Sequence, residues 1–115
     1  MGIDHSSQGI LTVDLPPEPD MGTELENVVK VVHEEADCDV VVDFSSVDII
    51  TSSSISKLLK LNKHLDGYGR RLVLCGLVNA TKQIFKLAGL DQVFDFTDDK
   101  SAALTAVKHA QQVKS

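Results

Sequence analysis

The feature that most restricts this chain is the run Asp39–Val40–Val41–Val42–Asp43–Phe44. Its centre is three consecutive β-branched residues with no polar alternation. A strand with one face in water alternates apolar and polar residues. An unbroken run instead suits a strand buried on both faces, as in a parallel sheet covered by helices. Arg71–Leu72–Val73–Leu74–Cys75 is a second run of this kind, and Ile10–Leu11–Thr12–Val13–Asp14–Leu15 a shorter candidate. Pro16, Pro17 and Pro19 stop the last of these.

Helical periodicity fills the gaps. Leu25, Val28, Val29 and Val32 recur at i, i+3, i+4 and i+7, one face of a helix that Thr23 and Glu26 open as a capping box and that ends near Ala36. Ile55, Leu58, Leu59 and Leu65, with Leu61 beside them, mark a second helix, with Lys57, Lys60 and Lys63 outside and Gly67 or Gly69 as its left-handed cap. Asn79 is the expected cap of a short helix with Ile84, Phe85 and Ala88 inside; Gly89 and Leu90 close it. Val93–Phe96 reads as a last short strand. Thr97 or Asp98 then caps a helix with a small-residue face of Ala103, Ala106, Val107, Ala110 and Val113. Residues 1–8 and 111–115 read as frayed. The order is strand and helix, four times. Short connections and right-handed crossovers then predict one α/β domain over residues 1–115, a mostly parallel central sheet with alternating helices.

Composition narrows the function. A net charge of −6 provides no basic stripe for nucleic acid or for an anionic membrane surface. No apolar segment approaches the ~20 residues of a membrane helix, and the N-terminus is too polar for a signal peptide. Cys38 and Cys75 read as small buried hydrophobes of a reducing compartment. The myristoylation pattern at Gly2 has no second anchor, and the sequon Asn79–Ala80–Thr81 is better read as a helix start.

Catalytic patterns are lacking. There is no Gly-x-Ser-x-Gly elbow, no Walker A loop, no Gly-x-Gly-x-x-Gly and no metal-ligand spacing, so neither a cofactor nor an enzymatic activity is expected. None of His5, His33, His64 and His109 is placed as a partner for a serine. Asp43 and Asp48 read as strand-end and turn residues. What remains is Thr51–Ser52–Ser53–Ser54 at the start of the second helix. One hydroxyl suffices to cap a helix. Four exceed that need, at the place where an added phosphate acts most strongly on its surroundings.

The stretch Asp43–Phe44–Ser45–Ser46–Val47–Asp48–Ile49–Ile50–Thr51–Ser52–Ser53–Ser54 resembles the signature of STAS domains, and of bacterial anti-sigma factor antagonists in particular. In that family a strand ending in Asp, an apolar residue and a small polar residue leads to Asp-Ser-[Ser/Thr]-Gly at a helix start. Thr51 stands at the family's Asp, and Ser54 at its Gly. Leu72–Leu77, Thr81–Leu90 and the Val93–Phe94 strand with its acidic sequel fit as well, so the likeness spans residues 9 to 110. The resemblance implies a cytoplasmic switch whose unphosphorylated form binds an anti-sigma factor, a serine kinase with a GHKL-type ATP site, and so frees a sigma factor. It implies phosphorylation at Ser52, with Ser53 the second choice, and restoration by a PP2C-type phosphatase. It also implies a partner-binding surface of Asp48, Thr51, Ser52, Ser53 and Ser54. STAS domains also serve as stressosome scaffolds and transporter-associated modules, which gives a non-phosphorylated interaction module as the alternative.

Overall fold

The computed structural model describes residues 2–5, 9–34 and 38–113, without the side chains of residues 2–5 and 109–113. Five strands lie in one sheet in chain order. They are β1 (Gly2–His5), β2 (Ile10–Asp14), β3 (Asp39–Asp43), β4 (Leu72–Cys75) and β5 (Asp95–Thr97). β2 to β5 run parallel, with Val13 beside Val42, Val42 beside Leu74 and Leu74 beside Phe96. The helices α1 (Asp20–Glu34), α2 (Ser52–Gly67), α3 (Asn79–Leu87) and α4 (Lys100–Val113) follow β2, β3, β4 and β5.

The apolar runs divide between the two faces with the period of two that a strand imposes. Leu11, Val13, Val40, Val42, Leu72 and Leu74 point into the larger core beneath α1, α2 and α3. Ile10, Val41, Val73 and Cys75 point the other way, against Ala103 and Val107 of α4. Of the small-residue face expected on α4, Ala103 and Val107 lie buried against the sheet, with the larger Leu104 partly buried beside them, while the side chains of Ala110 and Val113 lie outside the described residues. Phe85 of α3 meets Phe44, Phe94 and Phe96, with ring centroids 6.3, 5.7 and 5.6 Å apart.

Several local expectations change. Residues 2–5, read as frayed, pair as antiparallel β1 with Gly2 opposite Asp14 and His5 opposite Leu11. α1 begins at Asp20 rather than at Thr23, because Met21 and Gly22 are already buried. Its expected end at Ala36 lies outside the described residues. Leu61 belongs to the fully buried face of α2, whereas Ile55 and Leu59 sit at its margin. Val78, not Asn79, is the cap of α3, and Ala88 is exposed while Thr81 is buried. The last strand is shifted to Asp95–Thr97, and Asp99 rather than Thr97 or Asp98 caps α4, its Oδ1 accepting from the Ala102 N–H at 2.8 Å. The helix stops behave as expected: Gly69 and Gly89 take the left-handed conformation, and the Leu90 N–H returns to the Phe85 carbonyl.

Cys38 and Cys75 form no disulfide. Cys38 precedes β3, while Cys75 lies opposite Asp43 at its far end. Five residues at about 3.3 Å each separate them, well beyond disulfide reach. Burial, then the Asp43 carboxylate, push the Cys75 thiol up to about 12, against the opposing charge of Lys100. A raised thiol value means that the unfolded chain loses its proton first, so this group's contribution to stability falls as pH rises above 9.0. Iodoacetamide at about pH 8.5, the ordinary thiol range, is expected to leave native Cys75 unmodified and to label it once urea unfolds the chain.

Candidate functional site

All four parallel strands end on the same edge of the sheet, so the loops after β2, β3, β4 and β5 converge there. Such an edge is the usual place for function in an open α/β sheet. The β3–α2 loop is its centre. Phe44, Val47 and Ile50 are buried and peg the loop to the core, leaving Ser45, Ser46, Asp48 and Ile49 outward. The Phe44 N–H donates to the Cys75 carbonyl at 2.8 Å and the Val47 N–H to the Phe44 carbonyl at 2.9 Å. A loop pinned in this way presents its outward residues in one arrangement. Ile49, 65 % exposed, is the large apolar residue that this leaves in water.

Beneath the loop, the strand-end aspartates are used structurally, as their position suggested. Asp43 Oδ1 accepts from the Ser45 N–H at 2.9 Å and from the Ser45 hydroxyl, which closes the turn. Lys100 Nζ at the start of α4 sits 2.6 Å from Asp14 Oδ1 and 3.7 Å from Asp43 Oδ2. The bond to Asp14 holds the Lys100 ammonium above its ordinary value, against burial. A cleft of about 290 Å³ opens beside this cluster, between Pro16 and Pro17 on one side and Ser45 and Ser46 on the other. Gly76 takes the left-handed conformation, close against Asp43 and Ser45.

At the start of α2, Thr51 is the N-cap, its hydroxyl oxygen accepting from the Ser54 N–H at 3.2 Å. In a capping box the residue at Ser54's position would be Glu or Gln and would accept from the cap's own N–H. Serine is too short. Glu18, from the β2–α1 loop, does it instead: its Oε2 accepts from the Thr51 N–H at 3.0 Å, the Thr51 hydroxyl at 3.0 Å and the Ser54 hydroxyl at 2.7 Å. The box is thus assembled from two segments. Burial pushes the Glu18 carboxyl up, but the Ser54 hydroxyl, the Thr51 N–H and hydroxyl, and the Lys57 charge outweigh it, leaving it below its ordinary value.

The structure brings Asp48, Thr51, Ser52 and Ser53 together as exposed residues at the same corner. Ser54 departs from its expected partner-facing place: at 2 % exposure it points inward to Glu18. The His33 and His64 rings, on α1 and α2, lie 5.4 Å apart in a tilted contact, with Tyr68 beside His64. His64 lies twelve residues along α2 from Ser52, about 18 Å at 1.5 Å per residue, so it cannot serve that hydroxyl as a base. Sequence reading missed Glu18. The available signal was an acid held between Pro17 and Pro19, together with a helix start whose box lacks its own.

The fold and the pinned hydroxyl corner define a STAS-type domain. A STAS domain family model matches residues 22–103, and the chain belongs to this family. A curated relative from Bordetella bronchiseptica, bearing the name anti-sigma factor antagonist BtrV, is 31% identical over 71 residues, covering 62% of this chain and 61% of that protein. The chain thus matches less than two thirds of that relative's length. Among solved structures, a Thermotoga maritima protein described as an anti-sigma factor antagonist superposes with a TM-score of 0.75 at 15% identity, covering 93% of each chain. The antagonist SpoIIAA in its unphosphorylated form gives 0.73 at 12% identity, over 93% of this chain and 96% of that one. Its phosphorylated form gives 0.69 at 11%, over 91% and 97%. At these identities the structural likeness concerns the fold. Among the described residues, no helix is long and apolar enough to cross a membrane.

Proposed function

We propose that this chain is a single STAS domain that acts in the cytoplasm as an anti-sigma factor antagonist, by binding and not by catalysis. Its unphosphorylated form would hold an anti-sigma serine kinase and so release a sigma factor. The kinase would phosphorylate Ser52, and a PP2C-type phosphatase would reverse the step. In the transfer, the Ser52 oxygen bonds to the γ-phosphorus of ATP, the bond to the ADP oxygen breaks, and the hydroxyl proton passes to a base of the kinase. The observation that carries this reading is Ser52 itself. It is exposed at the first position of α2, directly after a loop that buried Phe44, Val47 and Ile50 hold in place and that carries exposed Ile49. Ser53, also exposed, is the second candidate. That SpoIIAA exists in both forms with this fold supports a switch that leaves the domain folded.

Phosphate adds about −1.5 to −2 charges. A helix N-terminus tolerates an anion, so the domain need not unfold. Asp43 and Asp48 already make the corner acidic, and the partner's surface would have to accept the extra charge. Ser52→Asp is therefore expected to weaken kinase binding by about a hundredfold, a few kcal/mol of like-charge cost, while stability stays within about 0.5 kcal/mol. Titration calorimetry against the kinase and urea unfolding measure the two quantities. Unchanged affinity, with Ser52 unmodified in every growth condition, would favour a constitutive scaffold or transporter-associated module instead.

A further inference from the structure

Four consecutive hydroxyls open α2, yet they are not equivalent. Thr51 Oγ1 gives its proton to Glu18 and takes the Ser54 N–H, so both sides of that oxygen are engaged. The Ser54 hydroxyl is buried and bound to the same carboxylate oxygen. Among the described residues, no hydrogen bond engages the hydroxyls of Ser52 or Ser53, and both residues are exposed. The difference traces to one residue from another part of the chain.

We propose that Glu18 is a positioning residue that selects which hydroxyls of the corner are presented: it engages the hydroxyls of exposed Thr51 and buried Ser54 in hydrogen bonds and leaves Ser52 and Ser53 as acceptors. This rests on the reading of the corner as an acceptor site. For Thr51 to enter a kinase it must give up its hydrogen bonds to Glu18 and to the Ser54 N–H, and thereby undo the cap of α2. Ser52 and Ser53 enter with none of that cost. The same bonds tie the β2–α1 loop to the acceptor corner, so the cleft beside Pro16 and Pro17 and the start of α2 form one unit. The lowered Glu18 carboxyl keeps this tie charged to more acid pH than an ordinary carboxylate would.

The test uses the full chain and the variants Glu18→Ala and Glu18→Gln. The Thr51 N–H lies outside the helical hydrogen-bond ladder and has Glu18 as its acceptor, so its hydrogen exchange reads the tie directly. We expect it to be about tenfold faster in Glu18→Ala. In the native chain its protection should fall as acid protonates Glu18, a dependence that Glu18→Gln abolishes. Phosphosite mapping on protein from its own cells should find phosphate on Ser52 or Ser53 in the native chain and additionally on Thr51 in Glu18→Ala. Equal Thr51 exchange in all three proteins, phosphate on native Thr51, or an unchanged site pattern in a phosphorylated Glu18→Ala would each overturn the proposal. Faster Thr51 exchange in Glu18→Ala with no phosphate on either protein would uphold the positioning role and reject the acceptor reading.

Discussion

Gly76→Ala is expected to destabilise the domain by about 2 to 5 kcal/mol and to disturb the acceptor loop with it. Two costs add. Gly76 has φ +70°, where an L residue loses roughly 1 to 2 kcal/mol. An added Cβ would also lie 2.6 Å from both Asp43 Oδ1 and Ser45 Oγ and 3.2 Å from the Ser45 N–H. Those atoms form the turn that begins the β3–α2 loop, and Asp43 is tied to Lys100 as well, so little can move aside. Forced overpacking of this kind costs about 1 to 3 kcal/mol. A typical domain has only about 5 to 15 kcal/mol in total. Urea unfolding should show a lower midpoint at unchanged slope, and amide shifts should move from Ser45 to Thr51. Ser45→Ala in the Gly76→Ala background removes one of the clashing atoms but not the backbone cost, so it should recover only part of the loss. Full recovery, or no loss in the single variant, would contradict this account.

Phe85→Ala is the second large expected effect, about 3 to 5 kcal/mol from lost burial and the cavity left behind. Phe85 is fully buried on α3 and touches the rings of Phe44, Phe94 and Phe96. With so few aromatic residues, this group holds α3 and the β5 approach on the sheet in a core that is otherwise aliphatic. Edge-to-face contacts add about 0.5 to 1.5 kcal/mol beyond area. Phe85→Leu should cost much less, because volume is nearly kept. Thermal and urea unfolding of the pair would test this, and equal losses would mean that the cavity is not the cause.

The two predictions bear on function differently. Phe44 is the first residue of the acceptor loop and also a wall of the Phe85 cluster. Loss of Phe85 should therefore loosen the loop from beneath, whereas Gly76→Ala pushes it from the side. Ser52→Asp, by contrast, adds charge at a surface position and should leave the fold in place. Comparing hydrogen exchange across the three variants separates damage to the platform from a change on its surface.

The amino-acid sequence by itself determined the sheet and the identity of the corner. Val40–Val42 and Leu72–Cys75 are unbroken apolar runs, and burial on both faces is the way a strand hides every side chain. The helix stops at Gly69 and Gly89 were legible because a left-handed residue is a local, single-residue requirement. Helix starts were less legible. Thr23, Asn79 and Asp98 all have capping chemistry, but α1 is set by the burial of Met21, and Val78 and Asp99 hold the actual caps of the other two. Local propensity is worth about 1 kcal/mol, and packing overrides it. β1 was illegible because Gly2–His5 lacks an apolar pattern and owes its strand form to pairing with β2. What only the tertiary structure decided is the division of the serine cluster. Ser54 turns inward and the Thr51 hydroxyl is tied up because Glu18, more than thirty residues away in sequence, reaches them. No local pattern encodes a carboxylate arriving from another loop. It is the parallel sheet, by bringing all its strand ends to one edge, that puts Glu18 there and leaves Ser52 and Ser53 facing out.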